Sequence, residues 1–192
     1  MGIVGTGIEH ACEMQCAADY TGALVALRPA LDETARAYYS ADKASTDLSV
    51  QFLSEHMRLI TLAGLSCVSA GEIRLLGRGL PGAGFAQRDV SLAQVIYHFM
   101  TRKADRGKLR WDRHTPIRLD PDGTVCLPPT LISALILCIA SCPNNGDERV
   151  SDAAWLATER LSCPLNEVWG NYYRILTQLN DAYERAWTKG RP

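Results

Sequence analysis

Apolar residues return at three- and four-residue steps along most of this chain, which is the period of helices with one buried face. Over residues 8–27 they fall at Ile8, Ala11, Cys12, Cys16, Ala23, Leu24 and Leu27, predicting a first helix. Pro29 sits where a new helix can open, because its missing N–H is not needed in a first turn. Leu31, Ala35, Tyr38 and Tyr39 carry that second stripe to about residue 40. Ser45 or Thr46 can cap the next helix, in which Leu48, Phe52, Leu53, Met57, Ile60 and Leu65 run to about Cys67. A short helix over about 70–76 and another from Leu92 to about Ala104, capped by Ser91, follow.

The period changes over residues 108–127. Pro116–Leu119 and Thr124–Leu127 flank Asp120-Pro121-Asp122-Gly123, a tetrapeptide suited to a tight turn, so a β-hairpin is predicted there. Pro128-Pro129 opens a buried helix over 130–142, and Pro143-Asn144-Asn145-Gly146 ends it. Ser151 is read as the cap of a helix over 152–162, and Pro164 as the start of the last helix. On that helix Leu165, Val168, Trp169, Tyr172, Leu176, Leu179, Tyr183 and Trp187 form one stripe. Such rings are read as core, because each buries a large area.

The pattern predicts a mainly α protein: a helical bundle with one small β-hairpin near residues 116–127. With 192 residues and 21.1 kDa, a single domain spanning 1–192 is expected, carrying a Gly-rich loop at 77–88 and a basic segment at 102–118. A hydrophobic share of 47% excludes a disordered chain. The longest strongly apolar stretch, Leu131 to Cys142, is 12 residues against about 20 needed to cross a bilayer, so no membrane partner is expected. Seven cysteines, an odd number, and no basic leader at Met1 point to a reducing, cytoplasmic setting. Cys12/Cys16 and Cys138/Cys142 are each spaced four apart. They are read as core packing, with four thiolates around zinc as the competing geometry.

Charge changes the picture. The formal net charge is −1, yet residues 74–118 hold ten basic and three acidic side chains, a local +7 against −8 elsewhere. The densest part, Arg102 to His114, interleaves Arg102, Lys103, Arg106, Lys108, Arg110 and Arg113 with Trp111. Guanidinium groups fork onto phosphate oxygens and lysine adds a point charge, while Trp111 and His114 are candidates to stack on unpaired bases. Upstream, Gly77–Gly84 carries four glycines beside Arg78 and Arg88, a composition suited to a backbone anion nest. Arg74 completes the basic set.

No pattern names a reaction. There is no H-E-x-x-H, E-x-x-H, C-x-x-C or G-x-S-x-G, and the glycine loop lacks the Lys-Ser/Thr of a nucleotide-phosphate loop. Gly5-Thr6-Gly7 has no preceding strand and no third glycine. Arg110 and His114, one turn apart if helical, are the pair to test for phosphodiester cleavage. No catalytic residue, metal or cofactor is expected.

On Arg102–His114 and the Gly77–Gly84 loop, the chain resembles the small helical subunits of CRISPR interference complexes. The resemblance is one of architecture over the helical body, and the hairpin at 116–127 is not part of that family's pattern. It implies a subunit that contacts guide or target backbone, packs against other protein subunits and self-associates along a filament. The expected function is therefore a non-catalytic nucleic-acid-binding subunit of a ribonucleoprotein, with RNA or DNA backbone held by Arg74, Arg78, Arg88, Arg102, Lys103, Arg106, Lys108, Arg110, Trp111, Arg113 and His114. The alternative is a helical protein–protein adaptor using the aromatic C-terminal helix.

Overall fold

The structure, a computed structural model, describes residues 2–65, 68–75, 89–114, 117–120 and 122–189. It is mainly α with small β elements, as the pattern predicts. In order come α1 (Ile3–Cys16), α2 (Tyr20–Tyr38), α3 (Thr46–Glu55), α4 (Met57–Gly64), β1 (Arg74–Leu75), β2 (Val90–Ser91) and α5 (Leu92–Thr101). A 3-10 turn (Lys103–Lys108) leads into β3 (Leu109–Trp111), followed by β4 (Arg118–Leu119), β5 (Val125–Leu127) and α6 (Thr130–Ser141). The chain closes with β6 (Trp155–Ala157), β7 (Ser162–Pro164) and α7 (Tyr172–Lys189).

α6 is the axis of the fold. Leu131 through Ser141 are all buried, so no face of this helix meets water. Each large aliphatic side chain withdrawn from solvent there stabilises by roughly 1.5–3 kcal/mol. α1 and α2 pack as an antiparallel pair against it, close enough that a Cβ on Gly7 would sit 3.0 Å from the Ala30 Cβ. α4 approaches α6 more closely still: a Cβ on Gly64 would lie 2.8 Å from that of Ala134, and Thr130 Oγ1 donates to the Gly64 carbonyl at 2.6 Å. Asn145 pins the end of α6, its Nδ2 donating to Ile139 O at 2.8 Å and to Thr34 Oγ1 of α2 at 2.9 Å.

Several boundaries differ from the sequence reading, each for a local reason. The helix expected over 8–27 is two helices, broken where Ala18 adopts φ 59° and Asp19 accepts the Gly22 N–H at 2.7 Å as a cap. Pro29 opens nothing and lies inside α2: burial of Leu24, Leu27, Leu31 and Ala35 outweighs the one hydrogen bond proline removes. The stripe to Cys67 is α3 and α4, bent at His56, whose Nδ1 hydrogen-bonds Phe52 O at 2.8 Å. In the segment expected as a helix over 70–76, Arg74–Leu75 instead pairs antiparallel with Val90–Ser91. The helix expected over 152–162 is the β6–β7 hairpin, turned by Thr158 N–H donating to Leu161 O at 2.8 Å. Pro164 ends that hairpin, and α7 begins eight residues later.

The predicted hairpin is present as β4 and β5, with Gly123 at φ 82° in its turn and its N–H donating to Asp120 O at 2.9 Å. β3 pairs parallel with β5 on the other side, giving the order β3-β5-β4. Among the described residues no helix is long and apolar enough to cross a membrane.

Candidate nucleic-acid interface

The basic segment begins where α5 ends and is fastened to it. Asp105 Oδ2 meets His98 Nε2 at 2.9 Å, the histidine being buried. The Arg106 guanidinium donates to Phe99 O at 3.3 Å and Met100 O at 3.2 Å, closing carbonyls that α5 leaves open and placing a cation at the negative end of its dipole. Beyond the turn, Leu109 is buried, and strand alternation puts Arg110 on the face opposite Leu109 and Trp111.

Trp111 is a structural anchor. Its Nε1 donates to Thr21 Oγ1 at 2.9 Å, its ring lies 5.8 Å from that of Tyr20, and it packs half-buried against the core. Arg113 Nη2 donates to the Tyr20 hydroxyl at 3.2 Å. The segment thus follows the first turns of α2 in reverse: Arg102 shares a cleft with Arg28, Arg106 a hollow with Gly22 and Val25, and Trp111 and Arg113 reach Tyr20 and Thr21. From Arg28 back to Tyr20 is about 12 Å of helix.

Of the eleven residues named from sequence, nine lie among the described residues. Arg102, Arg106 and Arg113 border α2 and Lys103 and Lys108 lie in the turn between them, while Arg110 is on the opposite strand face, where it adds to the Thr124 hydrogen bonds that hold the Asp122 carboxyl low; among the described residues none of the six forms an ion pair. Arg74 is on β1, paired with Glu72 at 2.7 Å. Arg118, which the sequence reading places within the basic segment, is paired with Asp120 at 2.6 Å. Arg78, Arg88 and the Gly77–Gly84 loop lie outside the described residues.

Across the sheet, Arg110, Cys126 and Arg118 stand in one register row. Burial pushes the Cys126 thiol up, and the Asp112 carboxylate adds to the effect. His114 is exposed, with its backbone N–H donating to Asp112 Oδ1 at 2.9 Å. It faces, with Arg113, an apolar cleft of about 380 Å³ walled by Leu65, Val68, Ile73 and Pro128. Arg110 is on a strand and His114 beyond its end, so the two do not share a helix turn as the cleavage test pair assumed.

Other candidates resolve into packing. His56 is buried and stacked on Phe52 with ring centroids 4.1 Å apart, and burial holds its imidazole below the ordinary range. Among the described residues no three Cys, His, Asp or Glu side chains gather as a metal site. Burial raises Cys12 to about 11 and Cys138 well above the usual thiol range, favouring neutral thiols; Cys138 and Cys142 are packed in the core as expected, whereas Cys16 is exposed and takes no part in core packing. The C-terminal aromatic stripe is not one exposed patch: Trp169 is buried, Tyr172 half-buried, and Trp187, stacked beside Tyr183, is 57% exposed.

Sequence reasoning did not single out Arg28, Tyr20 or Thr21. Arg28 lies outside the basic window, and its only signal is Asp32 four residues on. Comparison with protein-family models, with curated proteins and with solved structures returned no match to this chain.

Proposed function

We propose that the protein is a non-catalytic subunit that binds the phosphate backbone of RNA or DNA along the edge from Arg102 to Arg113. One observation supports the reading: Arg102, Lys103, Arg106, Lys108 and Arg113 follow one another on a segment that borders α2 at Arg102, Arg106 and Arg113, with no ion pair among the described residues, whereas Arg74 and Arg118 are each paired with a carboxylate. Lys103, Lys108 and Arg110 supply charge. Arg106 adds its charge while holding the edge on α5, and Trp111 fixes its far end on α2. Phosphate contacts of this kind give affinity and register without reading bases. Assembly with other protein subunits, self-association along a filament and a cytoplasmic ribonucleoprotein setting belong to the same proposal.

Anisotropy titrations of labelled single-stranded RNA, single-stranded DNA and duplex DNA test it. About five neutralised phosphates give a slope of log K against log salt of roughly −3.5 for single strands and −4.5 for duplex. Charge reversal at Lys103, Lys108 and Arg110 flattens that slope and weakens binding evenly across sequences. Absence of binding to all three at about 50 mM salt, where such contacts are strong, defeats the proposal.

A further inference from the structure

The edge leads at Arg102 into a cleft of about 490 Å³ between α2, α3 and α5, lined among others by Arg28, Thr46, Asp47, Val50 and Tyr97. Beneath it three helices meet on one carboxylate. Asp32 Oδ1 accepts from Ser49 Oγ at 2.6 Å and from the Tyr97 hydroxyl at 3.0 Å, and its Oδ2 lies 3.4 Å from Arg28 Nε. Ser49 and Tyr97 are buried, so Asp32 is held in place by α3 and α5, and it in turn orients Arg28 on α2. Arg28, its side chain half-exposed, is paired with Asp32 through Nε only and keeps its terminal nitrogens for another acceptor. Arg102, which makes no ion pair among the described residues, lines the same space.

Two guanidinium groups in one cleft suit a phosphomonoester, which carries about −1.5 to −2 charge at neutral pH and three acceptor oxygens. The remaining lining is mixed. Val50 offers an apolar surface, while Asp47 and Thr46 suit the hydroxyl and amino donors of a sugar and base and not a bare anion. The volume lies in the ordinary range for a small-ligand site.

We infer that this cleft binds a nucleoside monophosphate unit, the phosphorylated end of a single strand, with the phosphate between Arg28 and Arg102. As a strand end, the inference rests on the edge reading above, and the cleft is where the path along that edge terminates.

The test uses the full chain. Oligonucleotides labelled at the distal end and carrying a 5′-phosphate, a 3′-phosphate or only hydroxyl termini are titrated by anisotropy, and adenosine and uridine monophosphate by calorimetry. The expected result is at least tenfold tighter binding of one phosphorylated end over hydroxyl termini. Arg28→Gln abolishes that gain and Arg28→Lys restores part of it, both with unchanged affinity for the hydroxyl strand. Circular dichroism confirms that both variants fold. Equal affinity for all three oligonucleotides, or a gain that survives Arg28→Gln, overturns the inference and leaves the edge reading standing. Mononucleotide binding lost in Arg28→Gln, with no oligonucleotide bound, upholds the cleft as a nucleotide site and defeats the edge.

Discussion

Trp111→Ala separates an anchoring ring from a base-stacking one. Complete burial of a tryptophan is worth about 3–5 kcal/mol against alanine, and Trp111 is half-buried, so its packing on Tyr20 and the core contributes about 2 kcal/mol. Its hydrogen bond to Thr21 adds about 1 kcal/mol. A loss of about 3 kcal/mol should lower the melting temperature by roughly 6–12 °C in a chain of this size. Urea unfolding followed by far-UV circular dichroism measures it. Trp111→Phe keeps most of the packing and should lose only about 1 kcal/mol, and that loss should vanish in a Thr21→Val background because the hydrogen bond is already gone. Oligonucleotide affinity of Trp111→Phe should stay within twofold of the parent. An unchanged urea midpoint in Trp111→Ala, accompanied by a loss of about 1–3 kcal/mol in single-strand affinity, would refute the anchor and support the stacking role.

Other perturbations follow from the same contacts. Burial lowers the His56 pKa below its ordinary 6.5, so the unfolded chain takes up the proton first. Stability should therefore fall as pH drops below about 6.5, and His56→Gln should flatten that slope in denaturation curves between pH 5 and 7. Gly170→Ala forces a side chain to φ 68° with its Cβ 2.8 Å from the Gly146 Cα, a cost of about 2–3 kcal/mol by thermal unfolding. Arg160 donates to Leu62 O and Leu65 O at the end of α4 and lies 5.2 Å over the Tyr183 ring, so Arg160→Met should cost about 2 kcal/mol, most visibly as looser exchange protection in α7. Arg118→Gln should weaken polyanion binding less than Arg110→Gln, since Asp120 already offsets the Arg118 charge. Equal losses in the two would mean that the ion pair does not screen it.

How far the fold could be read depended on whether its determinants were local. The Ser91 cap is met by a reciprocal capping box with Gln94, and the prolines around α6 bound it closely, because both signals act within one turn. The hairpin at 118–127 follows from its turn residues for the same reason. Pro29 misled because its cost is local and is outweighed by burial across α2, which only tertiary packing supplies. Residues 152–162 misled because Ser151 is a cap by residue type and does accept from the Ala153 N–H, while the pairing of Leu156 with Cys163 leaves no local trace. At the candidate site the cations were legible as a cluster. What the sequence could not give was their sorting: Glu72 and Asp120 claim two of them, two carbonyls claim Arg106, and Thr21 claims the indole ninety residues away.

The fastening of Arg106 and Asp105 onto the end of α5 also bears on how any ligand would be held. A basic arm that is loose before it meets its target must surrender chain freedom at that moment, and its grip is discounted accordingly. Here the backbone from 102 to 111 takes its shape when α5 and α2 come together, so the loss of freedom belongs to folding and docking should proceed nearly rigid-body. The corollary is reciprocal: a partner that grips this edge reinforces the junction of α5 with α2, raising the temperature at which that junction opens.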